Sequence, residues 1–292
     1  VGILNIGSIN ADHVYRVGQI VRPGETCAST SYARFAGGKG FNQSVALARA
    51  GAAVAHVGCV GPDGGWLRDA LAQDGVEVRR VSTMAVPTGH ALIQVDDAGE
   101  NAIVIHAGAN GALEATEVGL AIGATATGDW VLLQNETNIV GGAIRLAHGR
   151  GRKVVLNPAP MSSAVLDMPL ELVDVLILNE SEGEALAAVA EPERILAALR
   201  GRYPQATVIL TLGAQGVLAD GGQGVVRQAA FPVQAVDTTA AGDTFIGYFL
   251  AAWTEGMEMA RALRWACRAS SICVTRAGAA SSIPRRDEVG EP

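Results

Sequence analysis

Aromatic residues make up only 4% of this 292-residue chain, and charged residues only 17%. That low charge stands beside 49% hydrophobic residues. Together they exclude a disordered chain and indicate a protein with a substantial core. The four cysteines (Cys27, Cys59, Cys267, Cys273) form no CxxC pair, and the five histidines form no HExxH. Reduced thiols are therefore expected, and neither disulfides nor a transition-metal site. The apolar run Phe245–Trp253 falls far short of the ~18 residues that suggest a membrane span. No basic segment leads into an apolar one at the start, so a cytoplasmic protein without an export signal is expected. Basic residues are in deficit, 22 against 29 acidic for a net charge of −7. Long nucleic acid is thus an unsuitable partner, although a few local donors can still hold a small anion.

Two common nucleotide signatures are also missing. No GxxxxGK[ST] occurs, because "GGKG" puts Gly40 where Ser or Thr should stand. The GxG triplets at Gly38, Gly149 and Gly222 reach Gln43, Val154 and Arg227 at the sixth position, so none completes GxGxxG. A P-loop NTPase and a Rossmann dehydrogenase are both disfavoured.

What is present is a rhythm. Short runs rich in Val, Ile and Leu recur at Gly2–Ile6, Ala53–Val57, Trp130–Leu133, Lys153–Leu156, Val173–Leu178 and Thr207–Leu212. Such unalternated runs suit parallel strands buried on both faces. Helix-like segments lie between them, at Gln43–Ala50, Gly141–Ala147, Glu182–Ala190 and Glu193–Leu199. The expected fold is α/β, a central and mostly parallel sheet flanked by helices in one domain over 1–292. Residues 13–35 and 89–106 break the rhythm, and the latter reads as a hairpin turning at Asp97–Gly99. Together they predict a small accessory β-sheet whose open face needs a ligand, a partner subunit or both as cover.

The segments that follow the strands carry the chemistry. They read "GSINAD", "GCVGPDGG", "QNE", "NPAP", "NESE" and "GAQG". Loops favour such residues for turn reasons alone. Six of them at the carboxyl edge of one parallel sheet predict a cleft, since ligands bind there.

"VDTTAAGDTF" (236–245) puts Ala240, Ala241 and Gly242 ahead of an apolar helix-like run. Small residues and free N–H groups at a helix start make an anion hole for a phosphoryl group. Asp243 in the first turn can serve simply as a helix-dipole residue. Its ionised carboxylate beside an anion hole repels phosphate, which makes sense if it accepts a proton from an attacking hydroxyl. "FAGGKGFNQS" (35–44) offers Lys39 and Asn42 as hydroxyl ligands, or else a glycine turn with a solvated lysine. "SINAD" offers Asn10 and Asp12 for vicinal hydroxyls, or else an Asx turn.

These segments together resemble the ribokinase-like (PfkB) family of sugar kinases. The match is carried by "GSINADHV" at 7–14, "PGET" at 23–26, "GGKGFNQ" at 37–43 and "IHAGAN" at 105–110. It continues through "LNPAP" at 156–160, "NESE" at 179–182, "TLGAQG" at 211–216 and "VDTTAAGDTF" at 236–245.

The resemblance implies ATP-dependent phosphorylation of a sugar's primary hydroxyl, D-ribose giving D-ribose 5-phosphate. Deoxyribose, fructose or a nucleoside is the alternative acceptor, and a non-catalytic sugar-binding regulator the alternative class. It implies Asp243 as catalytic base and the backbone from Ala240 to Asp243 as anion hole. Asn10, Asp12, Gly38, Lys39, Asn42 and Glu136 are implied as sugar ligands. Asn179 and Glu182 would help set Mg²⁺ and the phosphates, and Thr211, Leu212, Gly213, Ala214, Gln215 and Gly216 would form the nucleotide loop. Cys267 stands where some members have a histidine near adenine. Asp237, the Thr239 carbonyl, backbone oxygens of Cys273, Arg276 and Gly278, and Ser282 would bind an activating K⁺-like cation. The accessory sheet is similar to the family's lid, which also forms a homodimer contact.

Overall fold

The computed structural model describes residues 2–292. Its strands are β1 (Ile3–Ile6), β2 (Asn10–Arg16), β3 (Ser31–Gly37), β4 (Val54–Val60), β5 (Glu77–Thr83), β6 (Gly89–Val95) and β7 (Asn101–His106). They continue as β8 (Trp130–Gln134), β9 (Lys153–Asn157), β10 (Val175–Asn179), β11 (Thr207–Thr211), β12 (Val217–Asp220) and β13 (Val225–Gln228). Nine form one sheet in the order β13-β12-β11-β10-β9-β8-β1-β4-β5. Pairing is parallel from β5 across to β11, and antiparallel only where β12 and β13 close one edge. The expected mostly parallel sheet is thus the observed one.

Alternate residues of the central strands feed two apolar clusters, one on each face. Leu132, Val155 and Ile177 join Phe41, Tyr248 and Phe249 on one side. Val131, Leu133 and Leu156 join Ile122, Ile144 and Leu199 on the other. Burial on both faces is why these strands read as continuous apolar runs. From β1 the chain builds outward through β4 and β5, then returns to the other flank at β8. The boundary between β1 and β8 is therefore a topological switch point, where a crevice opens at the strands' carboxyl ends.

β2, β3, β6 and β7 form a separate sheet in the order β3-β2-β6-β7. β2 follows β1 after Gly7–Ile9, so Asn10 and Asp12 lie on a strand of the small sheet and not in a turn. Asp12 pairs with Phe35 and Ala91 across its neighbours, while Tyr15 pairs with Tyr32. Because strand side chains alternate in direction, these two sets face opposite ways.

The helix expected from Gln43 begins earlier and spans Lys39–Arg49. Gly38 at φ 90° turns the chain directly out of β3 into it, a conformation open to glycine. The segment expected at Glu182–Ala190 forms Glu180–Ala187, opened by a capping box between Asn179 and Glu182 and closed by Ala188 at φ 58°. β10 starts at Val175 instead of Val173 because Leu170–Leu172 forms a 3₁₀ turn. The Lys39–Arg49 and Ala241–Thr254 helices pack tightly together. A Cβ added to Gly247 would lie 2.3 Å from Ala46 Cβ.

Candidate active site

Asp243 sits in the first turn of the Ala241–Thr254 helix, which Ala240 enters at φ 60°. It is 8% exposed, yet both carboxylate oxygens are held. Asn42 Nδ2 donates to Oδ2 at 3.0 Å and Gln43 Nε2 to Oδ1 at 2.9 Å. Both donors come from the facing helix. Asn42 Oδ1 is buried without a partner. Of the expected anion hole, the Ala241 N–H is turned to the Thr238 carbonyl at 3.2 Å. Regular helix bonding begins with Thr244 N–H donating to the Ala240 carbonyl at 2.8 Å. The Gly242 and Asp243 amides lie at the helix start between them, where N–H groups have no intrahelical acceptor.

Lys39 opens the opposing helix. Burial works against its charge, but the Asp243, Glu136 and Glu182 carboxylates outweigh that and hold its pKa above the ordinary value. Glu136 Oε2 accepts the Lys39 N–H at 2.9 Å and the Ser8 hydroxyl, which ties the β8 exit to the helix N-terminus. Asp12 lies close enough to feel this charge. Burial first, and then Glu136, raise its pKa to about 7. Asn10 Oδ1 accepts from Asn110 Nδ2 at 2.7 Å, and Asn110 is itself pinned to the Ile9 backbone. The six expected sugar ligands thus gather where the small sheet meets the switch point.

A cavity of about 230 Å³ lies beside Asp243, walled by Lys39, Asn179, Glu182, Thr211, Ala240 and Gly242 among others. Glu182 accepts Asn179 N–H and Nδ2, each at 3.0 Å, while Asn179 Oδ1 accepts the Glu182 N–H at 2.9 Å. This box fixes both side chains on the cavity wall, and burial is the chief cause of a raised Glu182 pKa. Thr211, Thr238 and Gly242 are shared with a second, more apolar cavity of about 470 Å³. Gly213, Ala214, Gly216, Phe231 and Cys267 line it. Leu212 turns instead into the core and Gln215 is exposed, so four of the six loop residues face the space. Burial pushes the Cys267 thiol up to about 12, leaving an uncharged wall.

Behind the helix start, Asp237 Oδ1 accepts Thr239 N–H and Oδ2 accepts Gly278 N–H, both at 2.9 Å. Cys273 Sγ lies 3.1 Å from Ser282 Oγ and donates to the Thr239 carbonyl at 3.7 Å. The Arg276 guanidinium pairs with Glu288. Residues 237–239 and 273–282 are thereby joined. Among the described residues no three His, Cys, Asp or Glu side chains converge on a metal position.

Residues 2–286 match the model of the pfkB family of carbohydrate kinases. The chain belongs to the pfkB family of carbohydrate kinases. A relative from Haemophilus influenzae named ribokinase is 41% identical over 98% of this chain and 96% of its own. The crystal structure of ribokinase from Thermotoga maritima superposes with a TM-score of 0.88 at 32% identity, covering 99% of this chain and 97% of that one. The structure of Arabidopsis thaliana ribokinase complexed with ribose and ATP gives 0.86 at 31% identity, with the same coverage.

Several residues that shape this pfkB site escaped the reading of its motifs. Gln43, Gln134, Asn5 and Asn157 are buried polar side chains behind Asp243, and Asn110 steadies Asn10. Gln43, Gln134, Asn110 and Asn157 all lie inside quoted segments, and their polarity within otherwise apolar elements is the available signal. Gln134 closes a strand and gives no local sign of its partner.

Proposed function

We propose that the chain transfers the γ-phosphoryl group of ATP to the primary hydroxyl of D-ribose, giving D-ribose 5-phosphate and ADP. One observation carries this reading: the buried carboxylate of Asp243, held at both oxygens, borders a cavity that also receives Lys39 and Gly242. The hydroxyl oxygen bonds to the γ-phosphorus as its proton passes to Asp243, and the bond from that phosphorus to the β-phosphate bridging oxygen breaks. Gly242 and Asp243 N–H with the Lys39 ammonium receive the developing charge. Positioning and charge stabilisation do most of the work, so a carboxylate suffices as base. ATP occupies the two adjoining cavities, its base on the apolar wall that includes Phe231 and Cys267.

Mg²⁺ fits the oxygen donors Asn179 and Glu182 on the phosphate cavity wall, and when bound it neutralises the phosphates. The Asp237 cluster suits a monovalent cation such as K⁺, bound through carbonyl oxygens, that orders the loop leading into Ala240. The small sheet serves as a lid over the sugar and as a homodimer contact. Its exposed Ile103, Val104, Ile105 and Leu92 support that cover. A cytoplasmic setting accords with four free cysteines, and no helix among the described residues is long and apolar enough to cross a membrane.

A nucleoside acceptor is disfavoured by the lid's register. Tyr15 and Tyr32, with ring centroids 5.0 Å apart, lie on the face away from Asp12, and only Phe35 of the three shares its side. The test is a panel of ribose, deoxyribose, fructose and nucleosides with MgATP, with and without K⁺. Ribose is expected to give the highest kcat/KM, and K⁺ to raise it. Ribose as the poorest acceptor would overturn the assignment.

A further inference from the structure

Behind Asp243 lies a chain of buried polar side chains that reaches neither cavity. Asn5, Gln43, Ser44, His56 and Gln134 are each 0% exposed. His56 Nε2 lies 3.2 Å from the Gly7 carbonyl, which can only accept, so that nitrogen carries the proton. His56 Nδ1 is then an acceptor, and the Ser44 hydroxyl donates to it at 2.8 Å. Burial lowers the His56 pKa to about 4, in keeping with a neutral ring.

With its proton committed, Ser44 Oγ accepts from Asn5 Nδ2 at 2.8 Å, and the second Nδ2 proton goes to the Gly40 carbonyl at 2.8 Å. Asn5 must therefore present Oδ1 to Gln134, whose Nε2 donates to it at 2.9 Å and to Gln43 Oε1 at 2.7 Å. Gln43 is left with Nε2 alone for its remaining partners, Asp243 Oδ1 at 2.9 Å and Asn157 Oδ1 at 3.2 Å. Each amide in the series has one permitted orientation. A flip of Gln43 would set its NH₂ against the Gln134 NH₂ and its oxygen against the Asp243 carboxylate.

We propose that Gln43 is a positioning residue for phosphoryl transfer, aiming the Asp243 carboxylate through a directed hydrogen-bond chain anchored at His56. The proposal rests on Asp243 acting as the base. Gln43 is fully buried and lines neither cavity, and the one polar atom this hydrogen-bond chain leaves without a partner is Gln134 Oε1, which is buried as well. Loss of Gln43 therefore acts on the chemical step and spares substrate binding.

The experiment compares Gln43→Met, Gln43→Glu, Gln134→Met and Asp243→Asn. It uses steady-state kinetics with ribose and MgATP, and calorimetric ribose binding. Gln43→Met is expected to lower kcat about 10–100-fold, the scale set by misplacing a reacting group by about 1 Å, with ribose affinity nearly unchanged. Gln43→Glu sets a second carboxyl against Asp243 Oδ1, so the pair shares a proton and kcat must fall with its pH profile moved upward; a profile left where it was would show that Gln43 does not govern this carboxylate. Gln134→Met touches Gln43 but not Asp243 and must lower kcat in the same selective way. Should Gln43→Met fail to fold, Gln134→Met decides. Wild-type kcat in the Gln43 and Gln134 variants beside an inactive Asp243→Asn overturns the positioning role alone, as does a loss confined to ribose affinity. A fully active Asp243→Asn instead overturns the underlying assignment of the base.

Discussion

Asn42 and Asp243, 201 residues apart in the chain, meet through a 3.0 Å hydrogen bond at the floor of the cleft. Gln43 approaches the other oxygen of the same carboxylate. An amide in place of that carboxylate offers one acceptor and one NH₂ to two donors, so Asp243→Asn sets one donor against another. That unmade bond costs about 1–3 kcal/mol of stability. Catalysis suffers more, because the proton acceptor is gone: kcat should fall about 10²–10⁴-fold. Ribose affinity should stay within severalfold of wild type, since Asn10, Asp12 and Lys39 are untouched. Coupled-enzyme kinetics and calorimetry check the two halves of this prediction separately.

Asp12 makes sugar binding depend on pH. Its carboxyl titrates at about 7 in the unliganded protein, chiefly because it is buried and secondarily because Glu136 is near. Ribose hydroxyls donate to the ionised form, so they bind best once the proton has left. Ribose affinity should therefore rise about tenfold from pH 6 to pH 8 by linkage, with proton release below pH 7. Calorimetry in buffers of different ionisation heat measures that release. Asp12→Asn should bind more weakly and lose the slope; a wild-type slope in this variant would refute the assignment.

His56 sets an acid limit on stability. Its folded pKa of about 4 lies below the ordinary 6.5. The unfolded chain takes up a proton first as pH falls, so stability is present above pH 6.5 and is lost as pH drops toward 4. The full loss from this group is roughly 3 kcal/mol. Melting temperatures between pH 4 and 7 should fall less steeply in His56→Gln than in wild type. An identical slope would show that other groups govern the acid transition.

The parts of this site that can be read from sequence are those whose signal is local. Asn179 with Glu182 and the Gly213–Gly216 turn each lie at a strand exit, and Ala240–Asp243 gathers small residues and a carboxylate at one helix start. Asn10 and Asp12 have the composition of a turn, but the four-residue β1 gives out at Gly7 and they become the start of β2. Gln134 opens the quoted segment "QNE" and Asn5 interrupts an apolar run, yet neither shows its partner locally. Their meaning depends on partners 91 and 129 residues away, which meet only after the sheet has formed. The Met259–Cys273 helix, by contrast, has a local signal: Arg261, Arg264 and Arg268 share its exposed face, opposite the buried Ala262, Leu263, Ala266 and Ala269. The edge pair β12 and β13 consists of strands of four residues each, too short to show an alternation.

Gly247 tests whether helix contact distance governs the chemistry. A methyl group there would meet Ala46 Cβ at 2.3 Å and the Ala46 carbonyl carbon and Leu47 nitrogen at 2.8 Å. Two of those three atoms are backbone, so side-chain rotation cannot relieve the clash and the helices must separate. Gly247→Ala gains helix propensity of about 0.8–1.0 kcal/mol, but overpacking costs about 1–3 kcal/mol, so net destabilisation is expected. The separation also pulls Asn42 and Gln43 away from Asp243, one turn further along the same contact. Turnover should therefore drop several-fold even at temperatures where the variant is fully folded. Denaturant titration measures the first effect, and kcat well below the melting temperature measures the second. A stabilised Gly247→Ala with wild-type kcat would show that the two helices yield without cost and that their spacing does not control the carboxylate.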